Sequence, residues 1–117
     1  DDPYRKKLDG LVVKYGNWFV SKSHYLAYQG FSFDDICVEK DNYYKLRPNI
    51  GFFNNEFSYP SIKQNNRELM SLNPNEINTM KSSINNAYGK VLIGGLGLGY
   101  YLYSVSLKKN VSKIVVV

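Results

Sequence analysis

The chain has a single cysteine, Cys37, and a single histidine, His24, in 117 residues. One cysteine forms no internal disulfide and builds no zinc site, so the thiol reads as a packed residue in a reducing compartment. His24 has no readable partner for acid–base work and reads as a packed or surface histidine. No apolar run approaches the roughly 18 residues of a spanning helix, and no basic leader precedes an apolar stretch at the N-terminus. A cytoplasmic protein with no membrane contact is the expectation. Acids are missing from one part only: residues 1–76 hold ten acids and ten bases, whereas 77–117 hold five lysines and no acid, so the +5 net charge lies in the last third. Such an excess admits a nucleic-acid partner. Lys81, Lys90, Lys108, Lys109 and Lys113 fall at element ends and on solvent faces, however, and solvated charge is the preferred reading. Carboxylate pairs at active-site spacing, metal-ligand clusters and internal repeats are also lacking. No catalytic residue is identified and no metal site is expected.

What is present is apolar and aromatic. At 44% apolar and 15% aromatic, the composition is that of a folded domain rather than a disordered chain. The stretch KVLIGGLGLGYYLYSVSLKKNVSKIVVV, residues 90–117, divides into strand, glycine turn, helix and strand. Val91, Leu92 and Ile93 read as a buried parallel strand. Gly94, Gly95, Leu96, Gly97 and Gly99 follow, a turn that permits positive φ and a close approach to a ligand. A helix over 98–107 then places its free N–H groups toward the same point, with Tyr101, Leu102, Val105 and Leu107 on or near one face. Lys108, Lys109 and Asn110 suit its C-terminal end. Ile114–Val117 forms the second strand.

A dinucleotide fingerprint, G-x-G-x-x-G from Gly95, needs glycine at position 100, which is Tyr100. The chain instead reads G-x-G-x-G after a VLI strand. This resembles motif I of the class I S-adenosylmethionine (SAM)-dependent methyltransferases, with Gly95, Gly97 and Gly99 matching and Ile93 standing at the usual acidic position. The run IGGLGLG is also similar to the glycine turn of the spermidine synthases, through Ile93, Gly94, Gly95 and Gly99. The resemblance covers roughly residues 73–117. It implies the first β-α-β of a Rossmann-like domain, SAM as cofactor, and methyl transfer to an acceptor that the sequence does not identify. Aminopropyl transfer is the nearest alternative, and a non-catalytic binding or assembly protein of the same fold is another. The family's ribose-binding acid would fall just after Val117. The chain is therefore expected to be the N-terminal part of a larger protein, inactive and weak or silent toward SAM by itself. Its bare C-terminal strands are expected to pair with another copy.

Two units are expected: a helical and antiparallel β-meander region over 1–72 and the start of the SAM-binding domain over 73–117. Asp2 and Pro3 start a short helix over RKKLDGLVV, weakened by Gly10. Tyr15–Tyr28, rich in rings, is read as mostly helical, its tyrosines half-buried rather than stacked on bases. From Gly30 the chain breaks into short strands, Phe31–Val38, Tyr43–Arg47, Ile50–Phe53, Phe57–Ile62 and Arg67–Leu72, with Asn54–Asn55 and Asn65–Asn66 at turns. Pro48 and Pro60 are placed on edges or bulges. Asn73, Pro74 and Glu76 then start an amphipathic helix through Ile77, Met80, Ile84 and Tyr88, closed by Gly89. The family resemblance brings the start of this helix near the ligand, which makes Asn75 and Glu76 candidate cofactor contacts, although capping alone explains Glu76.

Overall fold

In the computed structural model, which describes residues 3–8, 10–33 and 49–117, the chain is a mixed α/β structure. The order is α1 (Pro3–Leu8), β1 (Val13–Tyr15), β2 (Trp18–Tyr25), β3 (Phe31–Ser32), β4 (Ile50–Gly51), β5 (Phe57–Gln64), β6 (Arg67–Ser71), α2 (Pro74–Asn86), β7 (Gly89–Ile93), α3 (Tyr100–Ser106) and β8 (Val111–Val116). The strands form a four-stranded antiparallel sheet in the order β1-β2-β5-β6, a short β3-β4 ladder, and a parallel pair, β7-β8. The expectations for Asp2, Cys37, Tyr43–Arg47 and Pro48 lie outside the described residues.

The helix expected over Tyr15–Tyr28 is instead the β1–β2 hairpin. Tyr15 pairs with Trp18 across a two-residue turn. Gly16 there has a φ of +58°, with no positive φ at Asn17, as a type II′ turn requires. The Gly-Asn pair is the sequence signal for it. At the other hairpin Asn65 and Asn66 both take left-handed φ, +50° and +62°, which suits a type I′ turn and the right-handed twist of β5 and β6. The two turns meet: Asn17 Nδ2 donates to Asn65 Oδ1 at 3.1 Å. Asn54 and Asn55 do not adopt positive φ.

Pro60 is on neither an edge nor a bulge, for it lies in β5 between β2 and β6, opposite Lys22. Its carbonyl accepts from the Leu72 N–H at 2.8 Å, one residue past the end of β6. Its nitrogen, on the same edge of the strand, cannot donate the reciprocal bond to Leu72, and the β5–β6 ladder ends there, with Ser61 opposite Ser71 as its last pair. The register shift occurs nearby, between Ile62 and Lys63, where Leu69 becomes the extra residue of β6.

α2 begins as the sequence indicates: the Asn73 side chain accepts from the Glu76 N–H at 2.9 Å, with Pro74 at the first position. Its end differs. The helix stops at Asn86, so Tyr88 is exposed, and Gly89, at φ +65°, opens β7. Lys108 does not close α3; its Nζ donates to the carbonyls of Ile84 and Asn85 at 2.6 and 2.7 Å, neutralising the negative end of α2. Asn110 does not take the left-handed φ of a cap. Val105 is fully buried, while Leu107 lies outside the α3 core face and is exposed.

β7 and β8 run parallel with Leu92 opposite Val115. The expected full burial of β7 fails: Val91 and Ile93 are only half-buried and Leu92, on the other face, is 70% exposed.

α1 joins the antiparallel sheet to this parallel pair. Tyr4, 5% exposed, sits edge-on to Tyr100 at 5.3 Å and donates its hydroxyl to the Leu98 carbonyl. Arg5 lies 4.3 Å over the Phe57 ring and donates to the Ser58 carbonyl. Tyr4→Ala is expected to cost about 3–5 kcal/mol, the range for truncating a buried ring, and Tyr4→Phe about 1 kcal/mol. Urea unfolding measures both, and a Tyr4→Ala midpoint equal to wild type would contradict this role for α1.

Candidate functional site

The glycine turn follows directly from the end of β7. Gly95, Gly97 and Gly99 have φ of +78°, +53° and +80°, where an L side chain costs roughly 1–2 kcal/mol. The backbone path alone therefore explains three glycines. Gly94 is different: its φ is not in that region, and a Cβ built on it would meet nothing within 4 Å. Nothing in the fold requires glycine at 94. Cβ positions at Gly95 and Gly97 also point into open space.

The turn uses part of its own hydrogen-bonding capacity. The Gly95 N–H donates to Val117 at 2.7 Å and that of Gly99 to Leu96 at 2.9 Å. Among the described residues, the amides of Leu96, Gly97 and Leu98 have no backbone acceptor. α3 starts at Tyr100 rather than Leu98, with Gly99 as a left-handed cap that contributes no side-chain bond. Tyr4, through the Leu98 carbonyl, holds the far side of the turn in place.

Opposite the turn lie Glu68–Ser71 of β6, Leu72 just past its end, and Glu76 and Met80 of α2, and together these walls enclose a cleft of about 670 Å³. The structure thus brings Gly94, Gly95, Leu96, Gly97, Gly99 and Glu76 to one space. Asn75 does not line it. Glu68, Ser71 and Tyr101 do line it, although the sequence marks Tyr101 only as a helix-face residue and gives Glu68 and Ser71 no site role. The strand carrying Glu68 and Ser71 was legible; which face each residue takes was not, because the bulge at Leu69 changes the alternation.

Glu68 is held from behind. Ser23 Oγ donates to its Oε2 at 2.6 Å and hydrogen-bonds Ser61 Oγ at 2.9 Å, Ser61 being fully buried. Tyr59 and Tyr25 continue this polar group, their rings 5.1 Å apart. Burial, and then the charge of Glu68, push the Tyr59 phenol up to about 12; burial also raises Tyr25, against the lowering effect of its hydrogen bond with Tyr59. The tyrosines stay neutral beside the carboxylate, which takes its hydrogen bond from Ser23.

His24 is exposed, with Nδ1 3.9 Å from Glu56, and takes no part in the cleft. Among the described residues no cluster of His, Cys, Asp or Glu is arranged to hold a metal ion, and no helix is long and apolar enough to cross a membrane. Comparison with family models, with curated proteins and with solved structures gave no match.

Tyr59 ionises near 10 in the unfolded chain and near 12 in the fold, so folding favours its neutral form. Its contribution to stability is intact below pH 10 and is lost as pH rises toward 12. Denaturation midpoints from pH 8 to about 12 are expected to fall above pH 10, and less steeply in Tyr59→Phe. Identical alkaline slopes for the two proteins would contradict the assignment.

Proposed function

We propose that the cleft binds SAM and that the chain is part of a methyltransferase-like protein built on a Rossmann-like β-α-β. The observation that carries this reading is Gly94. It is a glycine that neither φ nor packing requires, at the carboxyl end of a parallel strand, where open α/β sheets receive their ligands. The free amides of Leu96–Leu98 supply donors, and the open Cβ positions of Gly95 and Gly97 leave room for the backbone to meet the ligand. Glu76 and the braced Glu68 supply carboxylate acceptors of the kind that ribose hydroxyls need. The chemistry then rests on holding the methyl donor in line with its acceptor. Aminopropyl transfer from a decarboxylated donor uses the same turn and remains the alternative.

Gly94→Leu tests the reading without backbone strain, because only the space in front of the turn changes. Calorimetry on the intact protein is expected to show SAM binding that weakens at least about tenfold in Gly94→Leu, with an unaltered unfolding midpoint. No binding by the intact protein, or equal affinity in the variant, would contradict it.

Leu92, Val115 and Val117 share the exposed face of β7–β8, and we propose that a second copy of the chain covers it about a two-fold axis. Equilibrium sedimentation at micromolar concentration is expected to give a dimer that Val115→Glu converts to a monomer. A wild-type monomer would contradict this.

A further inference from the structure

We infer that the chain carries a second ligand site beside the glycine turn, an apolar pocket for a neutral, ring-bearing small molecule. The β1–β2 hairpin sets Tyr15 beside Trp18 and Val13 beside Val20, and Ile62 of β5 follows Val20 in register, with Met70 of β6 beyond it. These side chains share one face of the sheet, and Trp18, 43% exposed, and Met70, 50% exposed, stand open to water. The surface is concave. It encloses about 390 Å³ lined by Tyr15, Trp18, Val20, Ile62 and Met70 and bounded by Gly97, with no charged side chain in its wall.

Three properties define the occupant. The volume is within the range of small-molecule sites, roughly 300–1,000 Å³, and is too confined for a helix. A charged ligand would lose its hydration without gaining a partner, so the ligand is neutral. An indole, a phenol and a thioether in one wall offer ring and sulfur contacts that favour an aromatic body.

The pocket is continuous with the cleft already described. Leu69, Met70 and Gly97 line both. Regular alternation sends neighbours to opposite faces of a strand; the bulge at Leu69 instead lets two consecutive residues border both spaces. A molecule in the pocket therefore lies against whatever the glycine turn holds. The pocket itself does not depend on the SAM reading; taken with that reading, it restricts the second substrate to apolar ring compounds and disfavours the polyamine of aminopropyl transfer.

Trp18 is the only tryptophan of the chain, which makes it the reporter. The 117-residue chain is titrated with N-phenyl-1-naphthylamine, a neutral aromatic probe, while Trp18 emission and energy transfer to the probe are followed. Saturable one-to-one binding with quenching of Trp18 is expected. Met70→Glu, which places a charge in the wall, is expected to weaken it at least about tenfold. Tyr15→Ser, at a mostly exposed position where folding is not at risk, is expected to weaken it about threefold. Val115→Glu, on the other exposed apolar surface and in the wall of neither space, is expected to leave it unchanged. Circular dichroism confirms the fold of each variant. Failure to saturate, equal affinity in both pocket variants, or loss of binding in Val115→Glu would overturn the inference. A shift of Trp18 emission on concentrating the protein without probe would overturn it too, by assigning the face to another copy. Probe binding without SAM binding would leave the pocket standing and remove the cofactor reading.

Discussion

The hydroxyl of Tyr4, donating to the carbonyl of Leu98, connects the first helix to the one irregular segment on which the cleft depends. A glycine-dense turn has many backbone conformations to lose on ordering, and this one is fixed from outside. At its start, the Gly95 amide is bonded to the end of β8. At its other end, Tyr4 is wedged against Tyr100, while the next residue, Arg5, is anchored to Phe57 and Ser58 of the antiparallel sheet. Six residues of helix thus set the distance between β6 and the turn, and that distance is the width of the cleft. Only four large apolar or aromatic side chains are buried among the described residues, Tyr4, Tyr59, Leu72 and Val105, and of these only Val105 is fully enclosed. With so small a core, single contacts of this kind carry an unusual share of the architecture.

The antiparallel sheet contributes more than a wall. Ser23, Ser61, Tyr25 and Tyr59 form a polar group inside it whose outlet is the Glu68 carboxylate. Ser61 and Tyr59 are buried, and Ser23 links Ser61 to Glu68, so an exposed carboxylate at the rim of the cleft is tied to the sheet by a hydrogen bond. Its neighbour Leu69, displaced by the bulge, separates this polar space from the apolar pocket while touching both. One strand therefore offers a carboxylate and a hydrophobic edge within three residues.

The β-α-β segment was legible because each of its parts has a local cause. Asn73 and Pro74 start α2 by capping, β7 and β8 are apolar runs, and Gly94–Gly99 cannot be an interior strand or helix. The hairpin at Gly16–Asn17 was equally local and was missed because five rings in Tyr15–Tyr28 suggested a packed helix, although Trp18–Tyr25 alternates in exposure over most of its length. What was not legible was long-range. Pairing of β2 with β5, across 31 intervening residues, is decided by tertiary packing. So are the transfer of Lys108 from its own helix to the end of α2, the role of Tyr4, and the side of the sheet on which Glu68 emerges. The glycine turn was identified from sequence; its partners across the cleft needed coordinates.

Amide hydrogen exchange of the intact protein, with and without saturating SAM, tests the cofactor reading of the cleft most directly. The account predicts slowed exchange in two separate stretches, residues 94–101 on the turn and 68–76 on the facing strand and helix start, with the β1–β2 turn unaffected. Unchanged exchange in both stretches, or protection confined to other parts of the chain, would contradict it.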